Sequence, residues 1–218
     1  MYITENGILP ERFTLRRTHQ ASHPIKVIFI GRIVPYKGAD ILIEAAAPLI
    51  RSRLLKLEIV GDGPDMPKLK TLVNQEELEN GVELTGWVEH SQVQERLANA
   101  DVFAFPSIRE FGGAVVVEAM ALGLVPVVMN YGGPGEIVTE TTGYTVPIGS
   151  RAEIVMHFRD ILSRLAADPH GLTEIGQLAQ SRALKLFTWD AKARQMIEVY
   201  RWLLGQRTDK PSFGMPFS

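Results

Sequence analysis

Six short runs of mostly β-branched or aromatic residues alternate with amphipathic stretches along the first 150 residues. The apolar runs are 25–30 (IKVIFI), 56–60, 82–84, 101–105, 125–129 and 144–146; bounded by Gly or Pro, they read as strands. Between them, residues 38–50, 66–78, 91–100 and 114–122 repeat apolar side chains at spacings of three and four, the helical period. Such a chain buries both sets as a parallel sheet with helices on both faces. The run IKVIFI agrees, because a strand buried on two sides needs no polar face. After Ser150 only helical periodicity remains, over 151–167, 172–187 and 189–204, with Asp168-Pro169-His170-Gly171 parting the first two. The expected fold class is α/β, a Rossmann-like parallel sheet with helices on both faces, plus C-terminal helices. The Pro- and Gly-rich residues 207–218 lack periodicity and are expected to be disordered.

Composition narrows the function. The 218 residues contain no cysteine, which removes thiol catalysis, zinc-thiolate sites and iron-sulfur clusters and fits a cytoplasmic protein. The five histidines show no ligand spacing and no DxD is present, so no metal site is expected. The longest apolar runs fall short of the roughly 18 residues that a membrane span needs. Glu5, Asn6 and Glu11 stand where a signal peptide would have its apolar core, so no export signal is expected, and a mitochondrial address is equally unsupported. Net charge is -2, with no long basic run, so nucleic acid is not an expected partner. The charge is uneven, however: residues 71–150 hold 2 basic against 11 acidic side chains, while 1–70 hold 11 against 7 and 151–218 hold 10 against 7. An anionic ligand must therefore find side-chain cations in the outer thirds and rely on backbone NH groups in the middle.

In open α/β sheets ligands bind beyond the carboxyl ends of the strands. Four strand-end loops draw attention. After the first strand, Gly31-Arg32-Ile33-Val34-Pro35-Tyr36-Lys37-Gly38 carries two cations five residues apart, suited to a diphosphate or, equally, to solvent. After the second, Gly61-Asp62-Gly63-Pro64 is no GxGxxG fingerprint, which argues against ordinary NAD binding, and reads as a tight turn. After the fourth comes Pro106-Ser107-Ile108-Arg109-Glu110-Phe111-Gly112-Gly113-Ala114-Val115-Val116-Val117-Glu118. Here Gly112 and Gly113 stand where a helix begins, so its free NH groups can face an anion. Glu118 lies in apolar helical company and must be paired or hydrogen-bonded. Its partner is either a basic or backbone group of the protein or a ligand's vicinal diol, for which a carboxylate is a bidentate acceptor. Glu110 can reach the same pocket, and two carboxylates around one polyhydroxylated ligand suggest a nucleotide sugar. After the fifth strand, Asn130-Tyr131-Gly132-Gly133-Pro134-Gly135-Glu136 opens a short helix and either shapes a turn or closes over a phosphate.

The ordered set GRIVPYKG, GDGP, LTGWV, PSIREFGGAVVVEAMALGLVPVV and GGPGEIV resembles the donor-binding C-terminal half of the retaining GT-B glycosyltransferases of family four, over about residues 1–205. Its most specific part is the acidic pair Glu110 and Glu118, seven residues between, framing FGG. The resemblance implies that Arg32 and Lys37 hold the diphosphate of a nucleoside diphosphate sugar, with Gly31 beside them. It implies that Glu110 contacts the donor sugar and Glu118 the ribose hydroxyls. The backbone from Phe111 through Gly112, Gly113 and Ala114 to Val115 would meet phosphate and sugar. Catalysis would rest electrostatically on Arg32, Lys37 and Glu110, with no cofactor and no metal. The loop Gly86-Trp87-Val88 would lie beside the base, although Trp87 itself is expected in the core.

Members of that family have a second, acceptor-binding N-terminal domain, which the resemblance implies is missing from these residues. Residues 1–23 resemble the interdomain linker, 24–206 the donor domain. The acceptor, and any peripheral membrane contact, would belong to the missing half. Two other functions fit the same loops: a nucleotide-sugar binding module inactive without a partner domain, and a nucleotide-sugar epimerase of similar fold. A phosphorylase of this architecture is disfavoured, since no pyridoxal-binding lysine context is seen. The last helix carries an apolar stripe of Trp189, Ala193, Met196, Ile197, Tyr200, Leu203 and Leu204, which either folds onto 151–187 or stays partly exposed.

Overall fold

The computed structural model describes residues 7–13 and 23–213. Strands β1 (Ile25–Ile30), β2 (Leu55–Val60), β3 (Val82–Gly86), β4 (Val102–Phe105), β5 (Val125–Met129) and β6 (Tyr144–Val146) form one sheet in the order β3-β2-β1-β4-β5-β6. Every neighbouring pair is parallel, from Ile25 opposite Leu55 in β1–β2 to Met129 opposite Val146 in β5–β6. The chain runs outward from β1 to β3 and then returns to the other side of β1. With right-handed connections, that reversal puts the early and late helices on opposite faces.

One face carries α1 (Ala39–Arg51) and α2 (Met66–Gln75), with α6 (Arg151–Ala167) packed on α1; the other carries α4 (Ala114–Ala121) with α7 (Gly171–Leu186) on it. α3 (His90–Ala98), the six-residue α5 (Gly132–Ile137) and α8 (Trp189–Leu203) complete the set. Strands β4 and β5 are buried along their whole length, and Phe29, Phe103 and Phe105 meet in the core with ring centroids 5.6 Å apart. β1 is less uniform than IKVIFI suggests. Lys26 is exposed beside the likewise exposed Lys56, near the amino ends of the two paired strands.

α6 begins with a capping box in which the Glu153 carboxylate accepts from the Ser150 NH at 2.8 Å. α8 is capped by Thr188, whose hydroxyl accepts from the Ala191 NH at 3.1 Å. α2 stops at Gln75, three residues before its expected end, because Glu77 turns left-handed at φ 54° to bring Leu78 into the core.

Both flanking segments are engaged where they are described. Ile8 donates to the Phe187 carbonyl and accepts from the Trp189 NH, so residues 7–13 clasp the α7–α8 junction. Beyond α8, Arg207 pairs with Glu198 and Pro211 is buried. The expected disorder of the tail thus gives way, through residue 213, to a return along α8 held by a charge pair and a buried ring. Residues 1–6, 14–22 and 214–218 lie outside the described residues. None of the described helices is long and apolar enough to cross a membrane.

Candidate functional site

The order in which the chain adds strands reverses between the parallel neighbours β1 and β4, and the loops leaving their carboxyl ends lie side by side there. These loops are locked together by backbone contacts. Ile108 donates to the Tyr36 carbonyl at 3.0 Å, joining the β4 loop to the β1 loop. Ile33 donates to the Asp62 carbonyl and accepts from the Asp65 NH, joining the β1 loop to the β2 loop. Gly61 donates to the Gly86 carbonyl, tying in the end of β3, and Gly133 donates to the Phe111 carbonyl, tying in the β5 loop.

Two glycines make the close approaches possible. A Cβ on Gly61 (φ 134°) would stand 1.9 Å from the Gly31 carbonyl oxygen, and one on Gly132 (φ 56°) would stand 2.2 Å from that of Glu110. No other residue fits either place. The Gly61-Asp62-Gly63-Pro64 segment is thus a tight turn, as its composition suggests, and one that buttresses the first loop.

Within this frame the two predicted charge carriers meet. Lys37 ends a short 3-10 turn, Pro35–Lys37, and its ammonium forms an ion pair with the Glu110 carboxylate. The ammonium also lies 5.0 Å from the Phe105 ring centroid and 5.9 Å from that of Tyr36. The two side chains keep only 16% and 21% of their exposure. Arg109 stacks its guanidinium 5.9 Å from the same Tyr36 ring. Arg32 is exposed and makes no ion pair among the described residues, so the structure leaves it clear of the Lys37–Glu110 pair.

α4 starts directly after Gly113, and the NH groups of Ala114 and Val115 have no acceptor among the described residues. Those two donors supply the positive potential that the acidic middle of the chain lacks in side chains. Glu118, a turn further on, is half-buried between apolar neighbours. Burial pushes its carboxyl above the usual range, and the nearby His90 at the start of α3 offsets the rise only in part. No side chain or backbone group among the described residues bonds to it. Of the two partners open to Glu118, a hydrogen-bonded group of the protein is not found among the described residues, and its neighbours along α4 are Val, Ala and Met.

Trp87 departs from expectation. Rather than entering the core it is 70% exposed on the loop after β3, because Gly86 (φ 79°) turns the chain out of the strand; Val88 packs against the core instead. Phe111 is 95% exposed and Tyr131 44%, so the rim carries an aromatic fringe. His90, beside Glu118, was not legible as a site residue, since nothing in its spacing tells it from a surface histidine. Among the described residues no group of acidic and histidine side chains could hold a metal ion.

A separate groove of about 700 Å³ runs between α7, α8 and Thr139–Thr142. It lies away from the strand-end loops, and its carboxylate, Glu198, is already bound by Arg201 and Arg207.

A sequence-family model described as glycosyl transferases group 1 matches residues 11–172. Alpha-D-kanosaminyltransferase of Streptomyces kanamyceticus is 29% identical over 177 residues, 80% of this chain and 45% of that protein. Alpha-maltose-1-phosphate synthase of Mycolicibacterium smegmatis is 30% identical over 184 residues, 80% of this chain and 47% of that protein. The chain thus spans about half the length of these relatives. Among solved structures, the C-terminal domain of a group 1 glycosyl transferase, LpcC, from Francisella tularensis superposes with a TM-score of 0.72 at 20% identity, covering 84% of this chain and all of that one. Anabaena HepE in complex with UDP and glucose superposes with a TM-score of 0.69 at 26% identity, covering 82% of this chain and 48% of that one.

Proposed function

Because the chain belongs to the group 1 glycosyl transferases, we propose that it is the donor-binding half of a transferase that moves a sugar from a nucleoside diphosphate sugar to an acceptor with retention of configuration. The observation that carries this reading is Glu118, a half-buried carboxylate with no protein partner among the described residues. A carboxylate kept ionisable in apolar company at a cost to folding is what a ligand's hydroxyl pair requires. The binding of UDP by the HepE neighbour supports a nucleotide as that ligand.

In this reading the diphosphate lies between Arg32, Lys37 and the free NH groups of Ala114 and Val115, with Gly31, Phe111, Gly112 and Gly113 as backbone walls. The ribose sits on Glu118, the sugar against Glu110, and the base beside Val88. Charge that develops on the leaving diphosphate is met by fixed donors already in place, and that preorganisation is the catalytic contribution of this half. No metal or cofactor is needed for it. Residues 24–206 act as the donor domain, cytoplasmic and inactive in transfer until an acceptor-binding domain completes the cleft. The hexosyl class of the donor belongs to the same proposal.

Calorimetric titration of the chain with UDP-glucose, GDP-mannose and ADP-glucose tests it. Saturable binding of one of them, competed by its own nucleoside diphosphate, is expected. Heats of dilution alone for all three would remove the reading.

A further inference from the structure

We propose that the Glu110 carboxylate, paired with Lys37, makes the site distinguish an intact nucleotide sugar from the bare nucleoside diphosphate that transfer leaves behind. The inference rests on the nucleotide-sugar reading above and adds to it a means of releasing product.

Lys37 is pinned. Its ammonium is held over the Phe105 and Tyr36 rings and bound to Glu110, and both partners are largely withdrawn from solvent. An ammonium has three donors, and Glu110 takes one; a carboxylate has about four acceptor sites, and Lys37 fills one. The pair therefore has unused capacity on both sides but no net charge. The close approach of Gly132 to the Glu110 carbonyl and the Ile108–Tyr36 hydrogen bond fix the backbones of the two loops from which the pair extends.

A bare diphosphate meeting this pair gains the free donors of Lys37 and is repelled by the carboxylate beside them. An intact donor brings hydroxyl groups along with its phosphates. Those hydroxyls donate to the unused Glu110 oxygens, so the charge that repels the product becomes an acceptor for the substrate. When the sugar departs the hydroxyls leave and the repulsion returns. The exposed Arg32 has no such carboxylate and holds both ligands alike.

The expected signature is a ratio. In Glu110→Gln the amide no longer repels phosphate and is a weaker acceptor, so UDP should bind as well as before or better while UDP-glucose binds about ten-fold more weakly. The preference for donor over product should then fall by about ten-fold or more. Lys37→Gln should weaken both ligands and leave their ratio within about two-fold, since it removes attraction that both share. The measurement is calorimetric titration of UDP and UDP-glucose against the unaltered chain and the two variants, with GDP and GDP-mannose or ADP and ADP-glucose used if those are the pair that binds. Circular dichroism of each variant reports folding, and Glu110→Asp serves in place of a Glu110→Gln that fails to fold: its shorter reach loosens the pair and should lower the preference in the same direction. Equal weakening of both ligands in the folded variant would show that Glu110 serves structure alone and would overturn the inference, leaving the nucleotide reading intact. No binding of any of these ligands by the unaltered chain would overturn the nucleotide reading and the inference together.

Discussion

The loops at the carboxyl ends of the strands and the last helix, α8, both expose large apolar side chains, and they do so for opposite reasons. In the loops, Trp87 and Phe111 project from a backbone tied loop to loop by hydrogen bonds and glycine contacts, so their exposure is held by the fold. In α8, Trp189, Ile197, Tyr200, Leu203 and Leu204 keep between 47% and 71% of their exposure on a helix whose buried residues are only Ala191, Lys192 and Val199. The expected apolar stripe is present and mostly uncovered. A rigid, polar-centred rim suits a small ligand that must be oriented, whereas a smooth helical stripe suits another protein surface. Exposure alone does not identify a small-molecule site; what sets the rim apart is its fixed NH groups and charges.

Breaking the rim's interlock should have the largest effect. Gly132→Ala puts a Cβ 2.2 Å from the Glu110 carbonyl oxygen at a left-handed φ. The backbone strain costs about 1–3 kcal/mol, and the parting of the loops should remove nucleotide binding as well. Thermal unfolding and titration of one sample report both. A variant with normal Tm and normal affinity would mean that the loops are not coupled.

Arg32→Ala comes next. Loss of one charge-assisted contact worth about 1.5–3 kcal/mol should weaken nucleoside diphosphate binding at least ten-fold, with Tm unchanged because the side chain is exposed and makes no ion pair among the described residues. Lys37→Ala should weaken binding and also lower Tm, since it leaves the Glu110 carboxylate without its partner. An unchanged affinity in Arg32→Ala contradicts its assignment to the diphosphate.

Much of this was open to a reader of the sequence, and the reason is physical. Strand and helix positions follow from period, and strands 25–30, 125–129 and 144–146 are found where the apolar runs place them. The strand-end loops were legible because a site built from backbone must use glycine, and Gly112, Gly113 and Gly132 stand in the chain as plain markers. The Lys37–Glu110 pair was not, because it joins residues 73 apart through a sheet order that periodicity does not specify. Trp87 was misplaced for a related reason, as its direction depends on one left-handed glycine before it. The fate of the α8 stripe stayed open, since helical spacing says that a face is apolar and not what covers it.

On α8 the smallest change in stability is expected. Replacing Tyr200 and Leu204 with Ser and Gln touches exposed positions, so stability should stay within about 0.5 kcal/mol and nucleotide binding should not change. Self-association, or binding of a hydrophobic dye, should be lost. A large fall in Tm would show that the stripe is covered in solution and that the contrast with the rim is misdrawn.

Glu118 tests the central claim most directly, because burial raises its pKa and, among the described residues, only the nearby His90 offsets part of the rise. In the folded chain it holds its proton to higher pH than in the unfolded one, so its ionisation subtracts stability as pH rises through the folded value. Glu118→Gln should therefore have the higher Tm at pH 7, with the difference vanishing below the ordinary carboxylate range. The deciding measurement is the affinity of Glu118→Gln and of the unaltered chain for a ribonucleoside diphosphate and its 2′-deoxy analogue at pH 7. The account predicts that the substitution weakens the ribonucleotide several-fold more than the deoxy form, in a protein that has gained stability. Equal losses for both nucleotides, or a loss of stability in place of a loss of discrimination, would contradict it.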